Sequence, residues 1–230
     1  MKTNGNTILI TGGATGIGLA FAEKLVEYGN KVIICGRREE KLKEAQNKFP
    51  KIKTKVCDVS SQTDREILYE WVKKEHPDLN ILVNNAGVQR PINFKEGIKA
   101  LTSGDSEIET NFTAPIYLTA LFIPLLLEQE EAAIINVSSG LRSRAIARIP
   151  VYCATKAGLH SFTESLREQL RDTRIKVFEV VPPRVATSLG REPDVISGGI
   201  PPSDMADALL LGIKNDEFEI IVSQANPRFP

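Results

Sequence analysis

The sequence predicts an α/β fold, with a doubly wound, mainly parallel seven-stranded sheet that carries helices on both faces. Short β-rich apolar runs alternate along the chain with segments of helical spacing, so crossover helices must join parallel strands. The runs are apolar almost throughout, which is typical of strands covered on both faces. The 230 residues are enough for one large domain with a sizeable core.

Seven runs are the predicted strands. In chain order they are TILIT (7–11), KVIIC (31–35), IKTKVC (52–57), NILVN (80–84), AIINVS (133–138), IKVFEVV (175–181) and FEIIVS (218–223). Apolar residues at helical spacing after the first strand, closed by Gly29, predict the first helix. Ser61 and Asp64 form a capping-box pattern that predicts the start of another helix, and we expect Ser203 to cap the last one.

No repeat, linker or low-complexity tract divides the chain, so residues 1–230 are assigned to a single domain. Residues 184–202 are rich in Pro and Gly and have a poor apolar pattern. They predict a loop between the sixth strand and the last helix, which is a suitable place for contact with a substrate.

Charge and composition favour a small-molecule partner. The chain has 29 Lys and Arg against 29 Asp and Glu, so its formal net charge is zero. A nucleic-acid binder or a membrane-surface protein needs an excess of basic residues on one face. We therefore expect neither nucleic acid nor a membrane as a partner.

The sequence also predicts a cytoplasmic protein without a metal site. Its first residues show no hydrophobic signal region, and its most apolar stretch, 117–127, is too short to span a bilayer. The three cysteines, at 35, 57 and 153, show no Cys-x-x-Cys spacing, which fits a reducing compartment. His76 and His160 have no second ligand at metal-binding spacing.

Four glycines follow the first strand in TGGATGIG (11–18), where a helix begins. In open α/β sheets the ligand binds beyond the carboxyl ends of the strands, and phosphate oxygens approach backbone N–H groups at a helix N-terminus. Gly12, Gly16 and Gly18 stand at that turn in the spacing Gly-x-x-x-Gly-x-Gly. A tight turn that needs positive φ would also explain them. The glycines alone leave both interpretations open.

The end of the second strand indicates which nucleotide would bind. A carboxylate there would accept hydrogen bonds from the adenosine ribose of NAD, but the sequence is CGRR (35–38), with Gly36 at the acidic position. The guanidinium groups of Arg37 and Arg38 match a 2′-phosphate in geometry and charge. The sequence predicts a preference for NADP(H), with NAD(H) as the other possibility. Two solvated arginines at a helix start are the alternative explanation.

Further motifs follow in order along the chain. NNAG occupies 84–87, TNFTAP contains Asn111, INVSSG contains Ser139, and YCATK contains Tyr152 and Lys156. With TGGATGIG, this set resembles the short-chain dehydrogenase/reductase family, which has the Rossmann fold, and the resemblance covers nearly the entire chain. It implies an oxidoreductase with a dinucleotide cofactor, in which Asn111, Ser139, Tyr152 and Lys156 are catalytic.

The resemblance also implies the cofactor contacts. It places Asp58 against the adenine, residues 84, 86 and 87 along the adenosine and ribose, and residues 185 and 187 on the nicotinamide carboxamide. The candidate cofactor-binding residues are Gly12, Thr15, Gly16, Ile17, Gly18, Arg37, Arg38, Asp58, Asn84, Ala86, Gly87, Tyr152, Lys156, Val185 and Thr187. The family usually has Pro-Gly after the sixth strand, whereas Pro183 stands at the glycine position here.

The proton chemistry can be argued from the residues themselves. Tyr152 and Lys156 are four residues apart, so on a helix they share one face and the ammonium lies near the phenol. A phenol with a pKa of about 10 must fall by about 3 units to ionise at neutral pH, which corresponds to about 4 kcal/mol. An exposed ion pair contributes about 0–1 kcal/mol. The site must therefore exclude water and gain a second positive charge, which the oxidised nicotinamide would supply.

Two functional hypotheses follow. The first is an NADP(H)-dependent enzyme that interconverts a carbonyl and an alcohol, with Ser139 holding the substrate oxygen and Tyr152 as general acid and base. The alternative is a nucleotide-sensing regulatory protein of the same fold without turnover. The apolar helices around 106–128 and 150–172 carry more hydrophobic surface than one sheet face needs, and in the family such helices pair across a two-fold axis. A homodimer or homotetramer is expected.

Two further expectations concern the surroundings of the site. Pro115 stands four residues after Asn111 and lacks the N–H that would bond to its carbonyl, so that carbonyl could hold a water that re-protonates Tyr152 through Lys156. A kink that only bends the helix is the alternative. Four arginines near the predicted mouth could favour an anionic substrate, or could form a solvated face; they are Arg142, Arg144, Arg148 and Arg184.

Overall fold

The computed structural model describes residues 1–102, 104, 106–190 and 198–223. These residues form one parallel sheet in the order β3-β2-β1-β4-β5-β6-β7. The strands are β1 (Thr7–Thr11), β2 (Lys31–Gly36), β3 (Lys53–Val56), β4 (Ile81–Asn84), β5 (Ala132–Val137), β6 (Ile175–Val181) and β7 (Glu219–Ile221). The predicted doubly wound fold is therefore confirmed.

Seven α-helices connect the described strands. They are α1 (Gly16–Glu27), α2 (Glu39–Lys48), α3 (Gln62–Glu75), α4 (Lys99–Thr102), α5 (Ala114–Leu127), α6 (Pro150–Gln169) and α7 (Pro202–Asn215). The Ser61 hydroxyl caps α3 by accepting the Asp64 N–H at 3.3 Å, as its sequence pattern predicts. The prediction for Ser203 was wrong, because α7 begins at Pro202, whose fixed φ suits the first helical position.

Apolar side chains cover both faces of the sheet. On one face, side chains from β1, β2 and β4 pack with Phe21 and Leu25 of α1 and with Leu209 of α7. On the other face, the alternate residues of the same strands pack with Leu68 of α3 and Phe122 of α5. Burial on both faces explains why the strands are apolar almost throughout.

A row of polar residues interrupts the apolar strands on one level of the sheet. Asn84 pairs in register with Asn136, Asn136 with Glu179, and Glu179 with Glu219. The Asn84 amide donates to Asn136 Oδ1 at 2.9 Å, and the Asn136 amide donates to the Thr163 hydroxyl on α6 at 2.9 Å. The row therefore ties β4 and β5 to the helix that carries Tyr152 and Lys156.

The apolar helix predicted around 106–128 is present as α5 and the turn before it. A π-helical turn, Glu109–Thr113, runs directly into α5, so the helical stretch Glu109–Leu127 has 19 residues and is long and apolar enough to cross a membrane by length and composition. The stretch 117–127, which by itself is too short to span a bilayer, is the last part of this longer helical segment. Half of its most apolar part is buried, and Phe122 packs against the sheet as part of the core.

Two predicted features lie partly outside the described residues. Of the predicted loop 184–202, residues 191–197 are outside, while its two described ends meet in a bridge between Val185 and Ile200. The C-terminal tail from residue 224 is also outside. The assignment of residues 1–230 to a single domain stays a prediction.

Candidate active site

The glycine turn after β1 is fixed to the turn after β4 at the carboxyl edge of the sheet. The Thr11 hydroxyl accepts the N–H groups of Asn85 and Ala86, each at 3.0 Å. The Asn85 amide donates to the carbonyls of Thr11 and Gly12 at 2.9 and 3.2 Å. Sequence reasoning missed Thr11 and Asn85 as functional residues, although both lie within motifs that it used. They set the distance between the two turns.

The turn has no room for side chains. Gly12 and Gly16 have φ of 63° and 58°, in the left-handed region that favours glycine. A Cβ on Gly18 would lie 2.5 Å from the Gly12 carbonyl oxygen and would also collide with the Asn85 amide. Backbone therefore forms the surface of the turn, which permits close approach by a ligand.

Helix α1 begins at this turn. Thr15 is its N-cap residue but makes no side-chain capping bond, and the first turn contains no acidic residue. Ile17, in the first turn of α1, packs against the core, so the N-terminal end of the helix faces the glycine turn. The free backbone N–H groups and the positive end of the helix dipole suit a phosphate group.

The end of β2 is open and carries both arginines. A Cβ on Gly36 would meet no atom within 4 Å. Arg37 and Arg38 are exposed; Arg37 Nη1 lies 3.9 Å from Asp58 Oδ2, and Arg38 Nη2 donates to the Thr15 hydroxyl at 3.3 Å. The two guanidinium groups thus stand on the same edge as the glycine turn.

The catalytic candidates Ser139, Tyr152 and Lys156 lie together. Ser139 follows β5 and is the N-cap of a 3₁₀ turn, Gly140–Ser143, where its hydroxyl accepts the Leu141 N–H at 3.1 Å and is hydrogen-bonded to the Tyr152 phenol. Lys156 Nζ donates to the Val137 carbonyl at 2.8 Å and lies 5.8 Å from the centre of the Tyr152 ring. All three side chains are at least nine-tenths buried.

Burial acts on the two titratable groups in opposite directions. It raises the pKa of Tyr152 to about 12, although the hydrogen bond with Ser139 lowers it. It lowers the pKa of Lys156 to about 8, although the charge of Glu179 raises it. Without a ligand, the site therefore holds Tyr152 as a neutral phenol at neutral pH.

Asn111 is fully buried and fastens the segment after β4. Its Oδ1 accepts the Val88 N–H at 2.8 Å, while its amide donates to the Val88 carbonyl at 2.8 Å and to the Thr155 hydroxyl at 3.2 Å. A Cβ on Gly87 would lie 3.5 Å from Asn111 Oδ1 and 3.9 Å from Lys156 Nζ. The structure therefore brings Asn111 beside the other three catalytic candidates.

A π-helical turn contains Asn111 and ends just before Pro115. Asn111 lies within Glu109–Thr113, and Pro115 occupies the first turn of α5 directly after it. Since Pro115 cannot donate to the Asn111 carbonyl, the chain uses bonds over five residues there, as in the bond from the Ala114 N–H to the Glu109 carbonyl. The water at the Asn111 carbonyl stays a prediction.

Glu107 is a residue that sequence reasoning missed. It is 1 % exposed, one helical turn before Asn111, and its Oε1 accepts the Arg90 N–H at 3.0 Å. Its Oε2 is buried without a hydrogen-bond partner among the described residues, and its charge raises the pKa of Tyr152. The spacing of four residues between Glu107 and Asn111 is the signal that could have identified it, because both hold the backbone of residues 88–90.

The structure does not bring the Asn84 side chain to the cleft. Its amide is buried and bonded to Asn136, so the residue can line a ligand only with its backbone. Ala86 stands against the glycine turn, since a Cβ on Gly12 would lie 2.9 Å from its Cα. Thr187 reaches the turn from the loop after β6, and its methyl group lies 3.2 Å from the position of a Cβ on Gly16, whereas Val185 is buried.

The four arginines expected near the mouth of the site do not form one anion-binding group. Arg142 binds Glu179 at 2.6 Å and Glu219 at 2.9 Å, so it is not available to an anionic substrate. Arg144, Arg148 and Arg184 are exposed, as on an ordinary solvated face. Pro183 at the family's glycine position is accommodated, and the neighbouring Pro182 carbonyl accepts the Gly140 N–H at 2.9 Å.

Sequence comparisons relate this chain to known proteins. A family model for short chain dehydrogenases matches residues 6–194. An uncharacterized oxidoreductase of Bacillus subtilis (strain 168), DltE, is 51% identical over 224 residues, which cover 96% of this chain and 89% of that protein.

Solved structures resemble the whole fold. A short chain dehydrogenase/reductase from Burkholderia phymatum in complex with NAD superposes with a TM-score of 0.85 at 22% identity, covering 96% of this chain and 90% of that chain. A serine dehydrogenase complexed with NADP+ superposes with a TM-score of 0.79 at 26% identity, covering 89% of this chain and 88% of that one.

The π-helical turn gives a prediction about Pro115→Ala. The new N–H can bond to the Asn111 carbonyl, so we expect the turn to relax to α-helix and to move the Asn111 amide away from Val88. Loss of a hydrogen bond of about 1 kcal/mol should speed exchange of the Val88 amide about fivefold, measured by NMR hydrogen exchange. Pro124→Ala, at an exposed position of the same helix, is the control. Unchanged Val88 exchange in Pro115→Ala would show that the proline does not set the position of Asn111.

Proposed function

The chain belongs to the short-chain dehydrogenase family, and from that premise we propose that it is an oxidoreductase that transfers hydride between NADP(H) and a carbonyl or alcohol substrate. The observation that carries this proposal is the buried group of Ser139, Tyr152 and Lys156 beside the glycine turn. A proton donor, a hydroxyl that can hold the substrate oxygen and a cation meet there, which is the set that carbonyl reduction requires.

The residues at the sheet edge fit a dinucleotide. The glycine turn presents bare backbone where a Cβ would collide, and the N-terminus of α1 is free of acidic residues. These features would receive the pyrophosphate, while Gly87 leaves the space beside Asn111 and Lys156 open for a ribose. The nicotinamide supplies the hydride when the cofactor is bound.

The side chains of this chain provide the rest of the reaction. The carbonyl oxygen is held between the Ser139 hydroxyl and the Tyr152 phenol. As hydride reaches the carbonyl carbon, Tyr152 donates its proton to the oxygen, and in the oxidative direction it takes that proton back. A high pKa in the free protein keeps the phenol protonated and thus ready for reduction. Lys156 places its positive charge where the tyrosinate forms.

The preference for NADP(H) rests on the end of β2. Gly36 provides no carboxylate, and the guanidinium groups of Arg37 and Arg38 stand at an open edge near the glycine turn. A 2′-phosphate would accept charge-assisted hydrogen bonds from them. The relatives of known structure do not decide between the cofactors, because one is in complex with NAD and another with NADP+.

A nucleotide-sensing protein without turnover is the alternative, and the burial of Tyr152 argues against it. A sensor needs no proton donor, whereas this site holds a buried phenol beside a buried lysine amine. Cytoplasmic localisation stays part of the proposal and fits three cysteines that are buried and free of disulfides.

We also propose a homodimer or homotetramer. Tyr117 and Leu127 on α5 and Ile67 on α3 are about half exposed, so apolar surface faces outward on the side of the sheet where these two helices pack together. Pairing of two copies over this face would bury it. The substrate is a small carbonyl or alcohol compound, for which the exposed arginines provide no selective anion site.

The function is tested by Tyr152→Phe. The ring keeps its packing while the proton donor is lost, so we expect turnover of small carbonyls to fall at least a hundredfold with little change in the Kd for NADPH. NADPH oxidation is measured with a panel of ketones and aldehydes, and Tyr28→Phe, at an exposed tyrosine, is the control. Wild-type turnover in Tyr152→Phe would refute the role of the phenol, and no turnover of any carbonyl by the wild type would favour the sensor.

The cofactor preference is tested by Arg37→Ala and Arg38→Ala. Each charge-assisted contact with the phosphate contributes about 1.5–3 kcal/mol, so we expect each change to weaken NADPH at least tenfold and to leave NADH nearly unaffected. Dissociation constants for both nucleotides are measured by fluorescence titration. Arg171→Ala, at an exposed position between α6 and β6, is the control. Equal affinity of the wild type for NADPH and NADH would contradict the assignment.

A further inference from the structure

Glu179 is a fully buried carboxylate between apolar neighbours on strand β6. A buried charge is unfavourable unless it is paired, so its place in the core requires an explanation. Its Oε2 lies 2.6 Å from Arg142 Nη1 and 2.8 Å from His160 Nδ1. Its Oε1 is buried without a hydrogen-bond partner among the described residues.

We propose that Glu179 is a positioning residue of the active site: its contacts with Arg142 and His160 join the turn of Ser139 to the helix that carries Tyr152 and Lys156. The assignment rests on the proposed function for the roles of Ser139, Tyr152 and Lys156. The contacts themselves do not depend on it.

The first contact leads to the catalytic serine. Arg142 belongs to the 3₁₀ turn Gly140–Ser143, which begins directly after Ser139. Its guanidinium spans two strands, with Nη1 on Glu179 and Nη2 on Glu219 of β7 at 2.9 Å. The turn that carries the Ser139 hydroxyl is therefore anchored to the sheet through Glu179.

The second contact leads to the catalytic helix. His160 lies on α6 one turn after Lys156 and two turns after Tyr152, so the three side chains share the face that packs on the sheet. Its Nδ1 meets Glu179 Oε2 at 2.8 Å. One carboxylate thus fixes the distance between the Ser139 turn and the helix that supplies the phenol and the ammonium.

The electrostatic link runs to Lys156 itself. Lys156 Nζ donates to the Val137 carbonyl, and Val137 pairs in register with Val180, the neighbour of Glu179. Burial lowers the pKa of Lys156 to about 8, and the charge of Glu179 opposes this shift. Without the carboxylate, the buried amine would lose its proton at a lower pH, and the cation that stabilises the tyrosinate would be lost with it.

The charged groups that face Glu179 come from three elements. They are Arg142 from the 3₁₀ turn, Lys156 and His160 from α6, and Glu219 from β7, with Glu164 beyond His160 at 3.5 Å. Arg142 is shared between Glu179 and Glu219, so it neutralises the buried carboxylate only in part. The charge of Glu179 raises the pKa of Lys156 against the effect of burial.

The test measures the titration of Lys156 directly. In the full chain with lysine labelled by ¹³C at Cε, the Lys156 resonance is assigned by its loss in Lys156→Met and followed with pH by NMR. We expect Glu179→Gln to lower the titration midpoint by about one unit, because an opposite charge near a buried amine shifts it by about that much. Glu179→Asp keeps the charge, so we expect its Lys156 midpoint to stay close to that of the wild type.

Glu164→Gln is the matched control, because it removes an exposed carboxylate that contacts His160 on the same helix. We expect it to leave the midpoint unchanged. If Glu179→Gln does not fold, Glu179→Met also removes the charge, leaves Arg142 paired with Glu219 and serves for the same titration. An unchanged Lys156 midpoint in a folded protein without the Glu179 charge would overturn the proposal.

Turnover separates this proposal from the proposed function. The alkaline limb of the pH profile for alcohol oxidation should move to lower pH with the Lys156 midpoint in Glu179→Gln, by the same amount and with little change in KM. The titration needs neither substrate nor cofactor. A shifted midpoint in a protein that reduces no carbonyl would therefore support the role of Glu179 and refute the proposed function instead.

Discussion

The exclusion of water from the Tyr152 phenol is the constraint on which the site depends. Burial raises the pKa of Tyr152 to about 12, so ionising it at neutral pH requires about 7 kcal/mol from other interactions. Within the described chain, Ser139 supplies one favourable hydrogen bond, while the charge of Glu107 works in the opposite direction. The phenol is thus a stable acid in the free protein. The phenol ionises only when a positive charge comes close to it. Such a charge stabilises the phenolate strongly because the site is buried.

Much of the architecture holds the groups around that phenol in place. Asn111 and Glu107 bind the backbone of residues 88–90 with side chains one helical turn apart, and Thr11 and Asn85 fasten the glycine turn to β4. On the other side, the polar row of the sheet includes Glu179, which meets both the Ser139 turn and α6. Polar contacts at this depth are strong because water does not compete with them, and they allow few alternative arrangements.

Local pattern accounts for what the sequence predicts correctly. The strands 7–11 and 175–181 match the structure to the residue, and the motif residues Ser139, Tyr152 and Lys156 lie together as their order implies. The missed features depend on contacts between distant parts of the chain. Glu179 and Arg142 are buried together although 37 residues separate them in the sequence. The π-helical turn follows from the competition between Pro115 and the packing of Asn111. Periodicity along one segment contains neither piece of information.

The titration of Tyr152 is the most direct test of whether burial sets the acidity of its phenol. Ultraviolet difference spectra between the wild type and Tyr152→Phe isolate its phenolate signal as pH rises. For the free protein, we expect a pKa of about 12, and with saturating NADP+ we expect a fall of several units, because the oxidised nicotinamide adds positive charge within the water-excluded site. A phenol that already titrates near neutral pH in the free protein, or one whose pKa does not change with NADP+, would contradict the claim that burial sets its acidity and bound charge releases its proton.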